Sequence, residues 1–259
     1  MTARLWVAPS RLAAGRLTVD GDDHAYLFRV RRLAVGDAVL IFDGAGGEAP
    51  AVAIEVGATS AVLELEAPRA VLRPAPHVTV VQAVLKGERM DWCLEKLVEV
   101  GADAVVVAET ERAVVRLDDE RREKRLIRHR RIAQEAARQC GRADVPPVDA
   151  ATSLAQALAL APVAGAGVKL VADPAAEGPL LRAVPPSAMT VALLIGPEGG
   201  LAADELVQAA AAGFVAVSLG ETVLRAETAG AAAVFAVRAV RAAMGPGFQG
   251  FAPEGGAAV

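Results

Sequence analysis

Of 259 residues only two are cysteine, three are histidine and 3% are aromatic. Cys93 and Cys140 stand far apart, which excludes a disulfide framework and a zinc ligand set and leaves both as small buried apolar residues. His24, His77 and His129 are equally scattered, with no partner at metal-binding spacing, so no metal is expected. Long apolar runs are missing as well. No uninterrupted stretch approaches the roughly 18 residues needed to span a bilayer, and Met1 to Leu17 holds no continuous apolar region of the signal-peptide kind. A cytoplasmic protein without a membrane segment is the expectation. Nor is there a surplus of positive charge: 27 Lys and Arg against 31 Asp and Glu give a net charge of -4. A uniformly basic nucleic-acid coat is excluded, and any RNA site must be a local patch.

What is abundant is small and apolar. Hydrophobic residues make up 54% of the chain, mostly Ala and Val. A core of that kind depends on many small side chains and closely approaching backbones, which suits layered α/β packing. The first seventy or so residues alternate short β-type runs with turns: Arg16 to Val19, Ala38 to Phe42, Ala51 to Val56 and Ala61 to Glu66. Between two of them, Asp43-Gly44-Ala45-Gly46-Gly47 reads as a hairpin connection. Arg73-Pro74-Ala75-Pro76 breaks this rhythm, because each proline fixes its own φ and pushes its predecessor toward extended backbone. We therefore expect a small β domain over 1–73 and a second domain over 74–259.

The second domain alternates strands with helices. Strands are expected at His77 to Leu85, Ala104 to Ala108, Val168 to Ala172, Thr190 to Ile195 and Phe214 to Leu219. Helices are expected to carry Met90, Leu94, Leu97 and Val98, to run from about Asp119 to Cys140, and to span Ala203 to Ala212; Ala151 to Gly167 reads as a short helix and loop. Such alternation implies a mainly parallel sheet with helices on both faces.

Three segments carry chemistry. In Leu194-Ile195-Gly196-Pro197-Glu198-Gly199-Gly200 a buried strand runs into a glycine-rich turn, the place where open α/β sheets bind ligands. The run matches neither the dinucleotide fingerprint nor the phosphate-cradling loop. Glu198 would repel a phosphate but accepts hydrogen bonds from a nucleoside-like cation. The second segment, Ser218-Leu219-Gly220-Glu221-Thr222-Val223-Leu224-Arg225-Ala226-Glu227-Thr228-Ala229, is again a strand end, a polar turn and an Ala-rich helix. Thr222 or Thr228 as a cap and Glu227 as a dipole partner would be the structural reading. The nearly all-apolar helix that follows, with Val234, Phe235 and Val237, argues that the charges need partners. The third is a basic cluster, Arg121, Arg122, Lys124, Arg125, Arg128, Arg130 and Arg131, preceded by Arg112 and Arg116 and followed by Arg138 and Arg142. It is either a phosphate-neutralising stripe or a solvated helix face.

With these residues in view, the chain resembles the bacterial ribosomal RNA small subunit methyltransferase E family, of the SPOUT class of knotted methyltransferases. The resemblance covers nearly the whole chain. It is carried by Arg29-Val30-Arg31-Arg32-Leu33 with Gly36-Asp37, by Lys86-Gly87-Glu88-Arg89-Met90-Asp91-Trp92, and by Glu95-Lys96 and Glu99-Val100-Gly101. Thr110-Glu111-Arg112, Glu135 to Arg142, Val145-Pro146, the 196–200 loop and Leu224-Arg225-Ala226-Glu227-Thr228-Ala229 complete the set. It departs in Leu201-Ala202-Ala203, where relatives often place a hydroxyl residue and where a helix cap is expected to be weakened, and in Cys140, a place often taken by Ser.

The resemblance implies a PUA-like RNA-binding β-barrel, an α/β domain with a trefoil knot, and a homodimer. It also implies methylation of N3 of a uridine in 16S ribosomal RNA of the small subunit, with S-adenosylmethionine as donor. On that basis Leu194, Ile195, Gly196, Pro197, Glu198, Gly199, Gly200, Leu219, Gly220, Leu224, Arg225 and Thr228 are expected to hold the cofactor. Arg225 would stabilise charge on the base, and Glu227 would orient Arg225 or take the proton. Arg29, Arg31 and Arg32 in the small domain and Arg112, Arg138 and Arg142 in the large one are expected to grip RNA. The competing readings are ribose 2′-hydroxyl methylation, a non-catalytic RNA-binding assembly factor and a dehydrogenase, the last disfavoured by the missing fingerprint.

Overall fold

A computed structural model describes residues 2–113 and 119–244. The chain forms two compact units: one takes residues up to Leu72 together with Ala137–Val145, the other Arg73–Ala136 and the described residues from Pro146 on.

In the first unit, β1 (Ala3–Trp6), β2 (Gly15–Asp20), β3 (Ala38–Phe42), β4 (Gly47–Val56) and β5 (Ser60–Leu65) form one sheet in the order β1-β3-β4-β5-β2, with β6 (Arg69–Ala70) beside β4. Period-two alternation turns Leu5, Val19, Ile41, Ala51 and Leu63 into a single core, so the sheet curls around its own inner face. The expected hairpin links β3 and β4, which pair antiparallel. Asp43 closes it by accepting the N–H groups of Ala45 and Gly47 at 2.7 and 2.8 Å. A one-turn helix α1 (Gly21–His24) runs into a π-helical segment, Ala25–Val30, which Leu27 anchors in the core. β1 and β6 escaped the sequence reading: both are short, and β1 pairs in parallel with β3 across a long connection.

The second unit has six strands, all parallel: β7 (His77–Ala83), β8 (Ala104–Ala108), β9 (Val148–Ala151), β10 (Val168–Ala172), β11 (Thr190–Ile195) and β12 (Val215–Val217), ordered β12-β10-β11-β7-β8-β9. One face of the sheet, with Val81, Val106, Val171 and Leu194, buries against residues of α4 (Leu154–Ala159), α5 (Ala161–Ala164) and α7 (Ala203–Ala211). On the other face Gln82 and Ile195, register partners, lie against Gly230 of α8 (Ala226–Met244), which packs on α2 (Glu88–Glu99). Both faces are therefore covered, as such alternation requires. The long helix α3 (Asp119–Cys140) buries Ala133, Ala136 and Ala137 as its stripe predicts, and α6 (Leu180–Ala183) is a single turn that packs on α8. The Ala-rich stretch 151–167 holds two short helices, α4 and α5, instead of one.

α7 keeps its start despite the alanines. With alanine at the cap position, only the carboxylate half of a capping box is chemically available, and Glu205 supplies it: its Oε2 accepts the N–H of Ala202 at 2.9 Å. The weakened cap expected from Leu201-Ala202-Ala203 is thus offset three residues downstream.

Candidate active site

The sheet reverses its strand order between β7 and β11, the switch point at which open α/β sheets open a crevice. Just beyond the carboxyl ends of β10, β11 and β12 lies a cleft of about 530 Å³, lined by Asp173 after β10, Gly196 and Glu198 after β11, and Ser218 and Gly220 after β12. The two segments singled out in the sequence, 24 residues apart at Gly196 and Gly220, thus face one space. Two glycines there are required by the backbone itself: Gly200 has φ +71° and Gly220 has φ +140°, conformations that side chains rarely adopt.

Nine of the twelve expected cofactor residues line this cleft: Ile195, Gly196, Pro197, Glu198, Gly200, Leu219, Gly220, Leu224 and Arg225. Leu194 is not among them; it is fully buried in the core beneath. Gly199 lies instead against Arg112, and Thr228 does not line the cleft. The residues that the sequence reading missed include Asp173, Pro174 and Leu206. The Asp-Pro step directly after an apolar strand was the available signal for the first two.

Arg225 and Glu227 sit side by side at the start of α8, with Arg225 Nη1 4.0 Å from Glu227 Oε1. Their environments are opposite. The Arg225 side chain is 78% exposed and that of Glu227 only 11%. Oε2 of Glu227 is buried with no hydrogen-bond partner in the protein. A lone carboxylate oxygen buried in a cleft wall is costly to maintain and is the kind of group a ligand donor satisfies. Beneath it Cys93 donates its thiol to Gln82 Oε1 at 3.5 Å; burial first, and the Glu227 charge second, push that thiol up to about 12.

The glycine loop is tied to its surroundings at three points. Glu198 is ion-paired with Arg89 at 3.2 Å, so the acidic side chain read as free is partly neutralised. Arg112 donates to the carbonyl of Gly199 at 3.2 Å. Glu205, buried, accepts the N–H of Glu111 at 2.9 Å while holding Ala202.

The arginines expected to meet RNA divide differently from the sequence expectation. Arg29, Arg31 and Arg32 are exposed at the end of the π-helical segment, where Arg32 has φ 58°, a left-handed conformation unusual for a side-chain-bearing residue. Arg138 stacks on Tyr26 with 4.1 Å to the ring centroid, and both it and Arg142 belong to the first unit, not to the large domain. Arg142 is moreover buried and ion-paired with Asp144, which removes it from the RNA-facing set. Arg112 stays in the second unit. Much of the α3 cluster is internally compensated: Arg122 pairs with Glu109 at 3.0 Å, Arg128 with Asp91, Arg130 with Asp149 at 3.4 Å and Arg131 with Glu135 at 3.0 Å. Arg116 lies outside the described residues. Among the described residues no cluster of His, Cys, Asp and Glu could hold a metal, and no helix is long and apolar enough to cross a membrane.

Residues 73–238 match the model of an RNA methyltransferase domain, and 19–66 that of an RNA methyltransferase PUA domain. The ribosomal RNA small subunit methyltransferase E of Mycobacterium bovis is 39% identical over 222 residues, spanning 85% of this chain and 84% of that protein. The chain belongs to the ribosomal RNA small subunit methyltransferase E family. The Synechocystis member is 33% identical over 245 residues, covering 93% of this chain and 78% of its own length. Among solved structures, the family member from Neisseria gonorrhoeae, bound to S-adenosyl methionine, superimposes with a TM-score of 0.81 at 31% identity, over 93% of this chain and 98% of that one. Membership in the E family accounts for the pairing of a curled N-terminal sheet with a parallel α/β unit. The expected mainly parallel α/β sheet and PUA-type first domain are thereby borne out.

Proposed function

We propose that this chain methylates N3 of a uridine in 16S ribosomal RNA, within the small ribosomal subunit, using S-adenosylmethionine. The observation that carries the reading is the pair Arg225 and Glu227: an exposed guanidinium beside a buried carboxylate with one unpaired oxygen, in the wall of a cleft floored by glycine-rich turns. The cleft suits the cofactor. Backbone at Gly200 and Gly220 is open to close approach, and Gly196 makes room for Leu201; Leu201, Leu206 and Leu219 offer an apolar wall, and Asp173 and Glu198 match a cationic ligand with hydroxyl and amino donors.

S-adenosylmethionine, when bound, supplies an electrophilic methyl group on a cationic sulfur. The protein's own work is positioning and charge. Uracil N3 carries a proton at neutral pH, so a nucleophilic N3 requires that the proton leave and that the negative charge spread onto the flanking carbonyl oxygens. Glu227 has an oxygen without a partner to accept the N3–H. Arg225, two residues away and largely exposed, can donate to a uracil carbonyl as that charge develops. A cytosine, which presents an acceptor at N3, would meet the Glu227 carboxylate lone pair to lone pair.

In this reading the first unit, a PUA-like β domain over 1–73 supplemented by 137–145, contacts RNA through Arg29, Arg31, Arg32 and Arg138. The second domain, read from residue 74 on and without 137–145, carries the knot and the chemistry. The protein works in the cytoplasm as a homodimer; α2 and α8 pack on each other, and each leaves an aromatic side chain exposed, Trp92 and Phe235, of the kind a second copy would cover. The deciding experiment is methylation of unmethylated small subunits and of free 16S rRNA, followed by mass spectrometry of the nucleosides and mapping of the modified base. A 3-methyluridine is expected. A ribose-methylated nucleoside instead would sink the assignment of the atom.

A further inference from the structure

Two arginines from different elements converge on consecutive residues of the glycine loop. Arg89, in the first turn of α2, donates Nη1 to Glu198 Oε1 at 3.2 Å. Arg112, in the turn after β8, donates Nη1 to the carbonyl of Gly199 at 3.2 Å. The two residues contacted are consecutive, so both guanidiniums are attached to one short segment of the loop. Each contact occupies one of the five N–H groups of its guanidinium. The Arg89 side chain remains 50% exposed, and Arg112 is exposed too.

A purely bracing role explains this poorly. A half-exposed, single-point ion pair stabilises by about 1 kcal/mol or less. The rigid brace is elsewhere: Glu205, buried, holds the N–H of Glu111 on one side and that of Ala202 on the other, both at 2.9 Å. That one carboxylate already fixes the 110–112 turn against the end of the glycine loop.

We infer that Arg89 and Arg112 form a seat for an RNA phosphate at the edge of the cleft, taking the phosphodiester beside the target nucleotide. The inference rests on the RNA-methyltransferase reading of the cleft. A base that enters the cleft must leave its stack while its backbone phosphates stay outside. Arg89 lines the cleft and Arg112 holds the next loop residue, Gly199, just outside it, so together they mark the rim that the strand would cross. Paired planar guanidiniums match phosphate oxygens better than a point charge does. Glu198 is then the competitor of the phosphate for Arg89, a role distinct from holding the cofactor.

That competition gives the test its sign. Binding of in vitro transcribed 16S rRNA is measured against salt for the whole protein and for Arg89→Gln, Arg112→Gln and Glu198→Gln, with cofactor affinity followed by calorimetry. Each arginine variant is expected to weaken RNA binding about five- to tenfold and to flatten the log–log salt slope by about 0.7, one phosphate contact on a single strand. Glu198→Gln, which frees Arg89, is expected to tighten RNA binding severalfold. If Glu198→Gln weakens RNA binding as Arg89→Gln does, or if both arginine variants keep the wild-type salt slope, the seat is wrong and the arginines only brace the loop. A wild-type protein that neither binds the RNA nor transfers a methyl group would instead overturn the functional reading beneath it.

Discussion

At the scale of single residues, the carboxylate of Glu227 and the guanidinium of Arg225 are asked to do different things, and kinetics separates them. Glu227→Gln keeps the shape and removes the proton acceptor. Single-turnover methylation at saturating cofactor and RNA should fall at least about 100-fold. Arg225→Ala should lower the same rate by about 100-fold, and Arg225→Lys, which keeps the charge, should recover part of the loss. Wild-type rates in either variant would remove that residue from the chemistry.

His129 carries a second consequence at this scale. Burial, its largest influence, pushes its pKa down to about 4, while Asp91 opposes and Arg125 and Arg128 reinforce the shift. A histidine lowered in the folded state opposes protonation there. The unfolded chain, with a pKa of about 6.5, binds the extra proton between pH 6.5 and 4, so stability is intact above that window and declines as pH falls through it. The loss amounts to about 3 kcal/mol at full effect. Urea unfolding of wild type and His129→Leu at pH 7.5 and pH 5 should show a smaller pH-dependent loss in the variant; parallel losses would refute it. None of this was legible in the sequence, where His129 is one polar letter on a charged helix. Burial depends on what covers the helix, not on the residue.

At the scale of elements, α8 carries Glu227 at its start and is pinned further along by Arg238. That side chain donates to the carbonyls of Gly101, Pro74 and Pro76 and pairs with Asp103, which also accepts the N–H of Val78 at 2.6 Å and pairs with Arg73 at 3.3 Å. Removing Arg238 takes this donor from the Pro74 and Pro76 carbonyls and leaves Asp103 with Arg73 still beside it. Arg238→Ala should therefore cost ~3 kcal/mol in chemical denaturation. A cost near zero would mean that packing on α2 alone fixes the helix. Elements with a clear period were read to within a residue or two: Ala104–Ala108, Val168–Ala172 and Thr190–Ile195 match the expected bounds. β9 and α6 were missed because four residues hold too little of any period to distinguish strand from helix. For the cleft, the two glycine-bearing turns were legible because positive φ and strand ends leave a signature. Arg89 was not, because its place at the site is made by tertiary contact alone.

At the scale of the whole molecule, the exposed aromatics on α2 and α8 predict the assembly. Light scattering should give twice the mass of one chain, and Phe235→Glu should shift it to one; a wild-type monomer would refute the dimer. The knot that the family resemblance implies could not be drawn from hydrophobic pattern, since threading is a property of chain path, not of residue type.

The order in which the chain leaves the ribosome gives the sheet order a temporal meaning. β7 finds its neighbour β11 only after the intervening β8, β9 and β10 have been made, and Glu227 arrives on the last helix among the described residues. The first unit likewise waits for Ala137–Val145. Contacts of such long sequence separation form late and slowly. A nascent copy of this enzyme therefore completes the cleft only after β7 to β12 have all been made, so chains cut short of α8 lack Glu227 and the role proposed for it.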